Sequence, residues 1–167
     1  MKGICDLIRE SCQKAQASSQ NVKIKQENLK KLAESFKDIR VNNDVEWRDC
    51  AFHYFNKDDE ETTLAYIFVI DTFNFCFWPS NVPFEYDTLG TNLKKLAEAD
   101  PSNFHPKNMM KLTSTDIKKL VFNDIDFPLI EERSRLLQET CQACLECFDG
   151  KFTNFVKSAH GSAEKVI

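Results

Sequence analysis

Residues 64–78 form an apolar run without glycine or proline, Leu-Ala-Tyr-Ile-Phe-Val-Ile-Asp-Thr-Phe-Asn-Phe-Cys-Phe-Trp, followed at once by Pro79. The β-branched and aromatic content suits a buried strand, but strands rarely exceed about ten residues. The spacing therefore predicts a buried helix that Pro79 ends. Two polar side chains, Asp71 and Asn74, interrupt the run. An unpaired carboxylate is costly in an apolar interior, so Asp71 must be paired, neutralised or engaged in chemistry. On a helix, Asp71, Asn74, Phe75 and Trp78 fall at i, i+3, i+4 and i+7 and share one stripe. Such a stripe could hold a flat heterocycle, the rings stacking on its face while the acid and the amide meet its hydrogen-bonding edge. The alternative is that the rings are core and Asp71 is bonded to a backbone group or a basic partner.

The rest of the chain reads as further helices. Ile4, Leu7, Ile8 and Cys12 predict a first helix ending near Gln16, and Leu29, Leu32, Ala33 and Phe36 a second beginning at Gln26. Val22-Lys23-Ile24 and Pro83-Phe84-Glu85-Tyr86 read as short extended pieces, and Asn42-Asn43-Asp44 as a polar turn. Residues 58–61 form an acidic loop running into a helix N-terminus. Leu89, Leu93, Leu96 and Ala97 mark a helix stopping before Asp100-Pro101, after which residues 100–111 read as irregular. Thr113-Ser114-Thr115-Asp116 is an N-cap signal for Ile117, Leu120 and Val121. Phe127-Pro128 opens the longest helix, with Pro128 in its first turn, and Asp149-Gly150 ends it. A short helix with Phe152, Phe155 and Val156 follows, and the periodic segment from Ser162 reaches the last residue without a stop signal. The expected fold is mostly α-helical, with at most a short strand pair, in one domain over residues 1–167.

Three constellations could carry chemistry. His53 follows Trp47 and Cys50 on a candidate helix end, where its imidazole suits ligand bonding, proton transfer or a structural role. Cys141-x-x-Cys144-x-x-Cys147 has the spacing of part of a metal-ligand set, but good helix formers stand where a metal loop needs turn residues. Buried thiols on a helix are the alternative. Glu131-Glu132-Arg133 lies in the first turns of the long helix, which reads as a solvated face with Arg133 paired locally.

A formal net charge of −4 argues against broad nucleic-acid binding, which needs a basic face to neutralise phosphates. A small ligand or a protein partner is the expectation. Seven cysteines, an odd number without the framework of a secreted scaffold, read as reduced thiols in the cytoplasm or nucleus. No signal segment or membrane span is expected. Glycine-rich phosphate loops, nucleophile elbows and His-Glu-x-x-His patterns are absent from the sequence, which disfavours nucleoside triphosphatases, serine hydrolases and zincins.

Four blocks in order, Asp71-Thr-Phe-Asn-Phe-Cys-Phe-Trp78, Pro128-Leu-Ile-Glu-Glu-Arg133 with Leu136-Leu137 and Glu139-Thr140, Phe148-x-Gly150-x-Phe152, and Ser162-Ala163-Glu-Lys165, resemble the queuosine salvage protein family. The resemblance covers almost the whole chain, including the His53 region. It implies a helical fold related to helical DNA glycosylases. It implies an N-glycosylase that hydrolyses queuosine 5′-phosphate and releases queuine, a 7-deazaguanine base, for reuse in transfer RNA modification. The substrate would be that nucleotide rather than transfer RNA itself. His53, Asp71, Asn74, Phe75 and Trp78 become candidates for lining or supporting the base pocket. Such chemistry needs a carboxylate to stabilise oxocarbenium character on the ribose or to orient water, and no metal or organic cofactor.

Members of that family are about twice this length. The resemblance places the chain in their N-terminal half and the principal catalytic aspartate in the C-terminal half, so the catalytic residues of this chain are left unassigned. The competing expectation is a non-enzymatic helical interaction module that pairs with a separate C-terminal half or with a second copy.

Overall fold

A computed structural model describes residues 3–39, 47–78 and 81–165. These fall into two compact units, one of residues 3–39 with 162–165 and one of residues 47–161. No strand occurs among the described residues, so the expected strand pair is not formed. Residues 22–24 and 83–85 are irregular coil, since neither segment has a partner whose N–H and C=O groups could complete a ladder. The turn expected at Asn42-Asn43-Asp44 lies outside the described residues, as do Val166 and Ile167.

The first unit carries α1 (Ile4–Ser18) and α2 (Gln26–Ser35). Both are amphipathic, and neither buries a residue: Leu7, Ile8, Leu29, Leu32 and Phe36 are all exposed.

The second unit is built around α3 (Glu60–Phe73), whose residues Ala65, Tyr66, Val69, Ile70 and Phe73 are buried. The helix starts where the acidic loop was expected. The Asp59 side chain accepts from the Thr62 N–H at 3.0 Å, while Glu60 and Glu61 suit the positive end of the dipole. Around α3 pack α4 (Tyr86–Ala99), α7 (Ile130–Cys147) and α8 (Phe152–Ser158), with α6 (Ser114–Val121) against α4 and α7. Leu89, Leu93, Phe104, Ile117, Phe122 and Leu137 complete the core. α6 begins with a capping box in which Thr113 and Asp116 satisfy each other's backbone N–H groups.

Three sequence expectations need correction. Residues 100–111 are not simply irregular: they form a 3₁₀ turn, Pro101–Phe104, and a short α5, Pro106–Met109. Each is headed by a proline, which has no N–H to leave unsatisfied, and capped by the Asp100 or His105 side chain. The residues around Trp47 make only a 3₁₀ turn, Trp47–Asp49: the Trp47 carbonyl accepts from the Cys50 N–H at 3.3 Å and lies 2.7 Å from His53 Nδ1, and so does not serve the fourth residue on as an α-helix would require. Pro128 lies outside α7. Leu129 adopts the left-handed conformation at φ 57° and the Pro128 carbonyl turns to Arg133 Nε at 3.1 Å, so the helix starts at Ile130. Its other end matches expectation, with Gly150 at φ 69° donating to the Cys144 carbonyl.

Candidate functional site

The site is organised by a buried cation. Arg133 lies on the face of α7 that also carries Leu137, Cys141 and Cys144, and it is fully buried, with no ion pair to a carboxylate among the described residues. Its guanidinium donates to the carbonyls of Phe73, Phe75 and Cys76, the last at 2.9 Å, and its Nε to Pro128. Three rings cover it: Phe75 at 4.1 Å, Phe127 at 4.9 Å and Phe122 at 5.2 Å from the guanidinium carbon. Burial pulls its pKa down to about 10, still well above neutral, so the group is a cation. That positive charge sits at the C-terminal end of α3, where backbone carbonyls lack helical partners.

This arrangement ends α3 five residues short of the expected helix end. Continuing the helix would require the Phe73 carbonyl to accept from Phe77, but it accepts from the Arg133 guanidinium and from the Phe75 N–H at 2.9 Å, and Cys76 turns into the left-handed region at φ 47°. The predicted stripe is thereby overturned. Asp71 stays on α3, but Asn74, Phe75 and Trp78 leave the helical register. Asp71 is also exposed rather than enclosed in a buried run. Trp78 is 73% exposed, which rules it out as core in this chain. Phe75 faces the Arg133 guanidinium and supports the loop from behind.

Beyond α3, the loop borders a cavity of about 460 Å³ lined by Asn74, Phe77, Trp78, Phe84, Glu85 and Tyr86. Its size suits a small organic ligand. Behind Tyr86 lies His53, which is 6% exposed. The His53 ring is stacked on Trp47, with centroids 4.1 Å apart and planes at 18°, and meets the Phe52 ring edge-on at 4.6 Å. Its Nδ1 is 2.7 Å from the Trp47 carbonyl and its Nε2 is 3.1 Å from the Tyr86 hydroxyl. Close approach beneath this cluster depends on Gly90, where a Cβ would meet the Phe52 carbonyl at 3.0 Å and the Tyr66 hydroxyl at 3.3 Å.

Electrostatics link the cluster to α3. Although Asp71 is exposed as a whole residue, partial desolvation of its carboxyl raises the group above the ordinary carboxylate range. Burial foremost, and then the Asp71 charge, raise the Tyr86 hydroxyl above the usual phenol range, while a hydrogen bond from the Trp47 side chain acts the other way. The cavity thus combines an aromatic wall with polar groups at one end, able to stack a flat ring and read its edge.

Of the residues expected at a site, Asn74 and Trp78 line this cavity, Asp71 acts on it through its charge, His53 stands behind Tyr86, and Phe75 lies against Arg133. Sequence reasoning missed Tyr86 and Arg133. Tyr86 lies three residues before Leu89 in the phase of α4, and Arg133 is a charge in an apolar register; both signals were present. Arg133 does not pair locally: Arg135 takes Glu132, at 2.6 Å, and Glu139 instead. Cys141, Cys144 and Cys147 lie on one continuous helix, the first two buried. Among the described residues no group of three His, Cys, Asp or Glu side chains could hold a metal ion, and no helix is long and apolar enough to cross a membrane.

A family model described as "Queuosine salvage protein" matches residues 52–167. A Dictyostelium discoideum protein named queuosine 5′-phosphate N-glycosylase/hydrolase is 34% identical over 171 residues, covering 96% of this chain and 52% of the relative. Proteins of the same name from Sphaerobacter thermophilus and Mus musculus are 26% and 25% identical, with 99% and 95% of this chain covered and 51% of each relative. The chain therefore spans about half the length of these relatives.

Proposed function

The chain belongs to the queuosine salvage protein family, and on that premise we propose that it supplies one wall of the base pocket of an N-glycosylase that hydrolyses queuosine 5′-phosphate to release queuine. The observation that carries this reading is the cavity between the Arg133-held loop and the start of α4, which lies within the matched segment. Trp78 and Phe77 would stack on the flat 7-deazaguanine. Asn74, Glu85 and Tyr86 would meet its edge, with Asp71 adding negative charge nearby.

Cleavage of the bond from the anomeric carbon to the base nitrogen places positive character on the ribose and negative charge on the leaving base. Hydrogen bonding at the base edge helps it leave. Stabilising the ribose and directing water need a further carboxylate, which we place in the portion of the relatives that this chain does not match. The cysteines of the described residues form no disulfide, which suits a reducing compartment such as the cytoplasm.

The test is incubation of the 167-residue chain, and of a chain extended to the length of its relatives, with queuosine 5′-phosphate, with free queuine followed by mass spectrometry. Release by the longer chain alone supports a pocket wall that needs a second half. Absence of release by both overturns the proposal. The exposed apolar faces of α1 and α2 favour a second reading, an interaction module whose role is to dock on further polypeptide.

A further inference from the structure

The base-pocket reading leaves open which group sets the choice of base, and the hydrogen-bond directions around Tyr86 answer it. The Trp47 carbonyl can only accept, so His53 Nδ1, 2.7 Å away, carries the ring proton. In the neutral imidazole Nε2 is then an acceptor, and the Tyr86 hydroxyl 3.1 Å away gives it its single proton. The phenolic oxygen therefore has its proton committed to His53 and only lone pairs left to offer, and Tyr86 is one of the residues that line the cavity. Stacking on Trp47 and the edge contact with Phe52 hold the imidazole against rotation.

We infer that Tyr86, oriented by His53, is the specificity-determining contact of the cavity, presenting an obligate acceptor that selects heterocycles with N–H donors on the facing edge. The inference rests on the base-pocket reading above. Glu85, on the same wall, is a second acceptor. A guanine-type edge offers a ring N–H and an amino group to these oxygens. An adenine-type edge offers an unprotonated ring nitrogen, which would meet the Tyr86 oxygen lone pair to lone pair. Leaving one buried polar group unpaired in this way costs a factor of roughly ten to a hundred in affinity. His53 is a positioning residue here: it acts through Tyr86 and does not line the cavity.

Two measurements on the 167-residue chain test this. The first is the ¹⁵N spectrum of His53 in its neutral form, expected to show the proton on Nδ1 and a hydrogen-bonded, unprotonated Nε2 that shifts in Tyr86→Phe. The second is calorimetric titration with 7-deazaguanine and 7-deazaadenine. The parent should prefer 7-deazaguanine by roughly tenfold or more, and Tyr86→Phe should lose most of that preference while keeping its far-ultraviolet circular dichroism. A proton on Nε2, equal affinity of the parent for both bases, or full preference in Tyr86→Phe overturns the inference and leaves the pocket reading standing. If neither base binds, to the 167-residue chain or to the chain extended to the length of its relatives, while His53 shows the expected tautomer, the base-pocket reading falls and the inference with it.

Discussion

Replacing Arg133 by methionine tests whether one buried cation shapes the site. Methionine keeps much of the stem volume and removes every N–H that serves the carbonyls of Phe73, Phe75, Cys76 and Pro128. The buried Phe73 carbonyl keeps the Phe75 N–H at 2.9 Å but loses its charged donor, at a cost of about 2 kcal/mol, and the three partly buried carbonyls, which can recruit water, lose about 1 kcal/mol each. Loss of the cation over three rings adds about 1 kcal/mol. The gross loss is thus about 6 kcal/mol. Against it stands relief from desolvating the guanidinium, whose pKa falls from 12.5 to about 10, a cost of about 3 kcal/mol. The net expectation is a destabilisation of about 3 kcal/mol, or roughly 10 °C in melting temperature for a unit of this size. Urea unfolding followed by circular dichroism measures the first, and hydrogen exchange at residues 73–78 locates it. Arg133→Lys should fall between parent and methionine variant, because a point-like ammonium cannot reach all four carbonyls as the planar fork does. A methionine variant within about 0.5 kcal/mol of the parent, or unchanged exchange in the loop, would refute the reasoning.

Other perturbations have equally definite outcomes. The Glu61 carboxylate accepts from the N–H groups of Phe152 and Thr153, at 2.6 and 3.1 Å, and from the Thr153 hydroxyl. Glu61→Ala should therefore cost about 1–2 kcal/mol and raise hydrogen exchange selectively in α8. Gly90→Ala should destabilise by about 1–3 kcal/mol, read by urea midpoint, since the new methyl meets backbone as well as side chain. Asp71 has a raised pKa, so the folded state holds its proton more tightly than the unfolded chain does. Its ionisation then lowers stability as pH rises through the ordinary aspartate range toward the folded value. Asp71→Asn should raise the melting temperature at pH 7 and make no difference in acid well below that range. Burial pushes the Cys141 and Cys144 thiols up to about 12 and about 11, whereas Cys12 and Cys147 are exposed. Timed alkylation with mass-spectrometric mapping at pH 7 should label Cys12 and Cys147 first, and early labelling of Cys141 would contradict the burial.

Helix positions were legible because their causes are local. The Thr113 and Asp116 cap, the Asp59-to-Glu61 entry to α3 and the Gly150 exit from α7 each depend on residues within a few positions of the helix end. The end of α3 was not legible in that way. Nothing between Leu64 and Trp78 opposes a helix, and the residue that stops it stands sixty positions later. The clue was Arg133 itself. A charge in phase with Leu137, Cys141 and Cys144 must find acceptors inside the core, and the acceptors a helical protein offers there are the carbonyls at another helix's C-terminus. Reading Arg133 as part of a solvated face removed the one signal that α3 had a fixed stop. The same reasoning that made Asp71 suspect, a charge in an apolar pattern, applied with more force to Arg133. Asp71 is exposed on the final turn of α3, while Arg133 is enclosed and holds the loop from which Asn74 and Trp78 reach the cavity. The shape of this wall therefore follows from a side-chain-to-backbone anchor between α7 and α3, and substitutions at Arg133 should alter the cavity although it is not among the residues that line it.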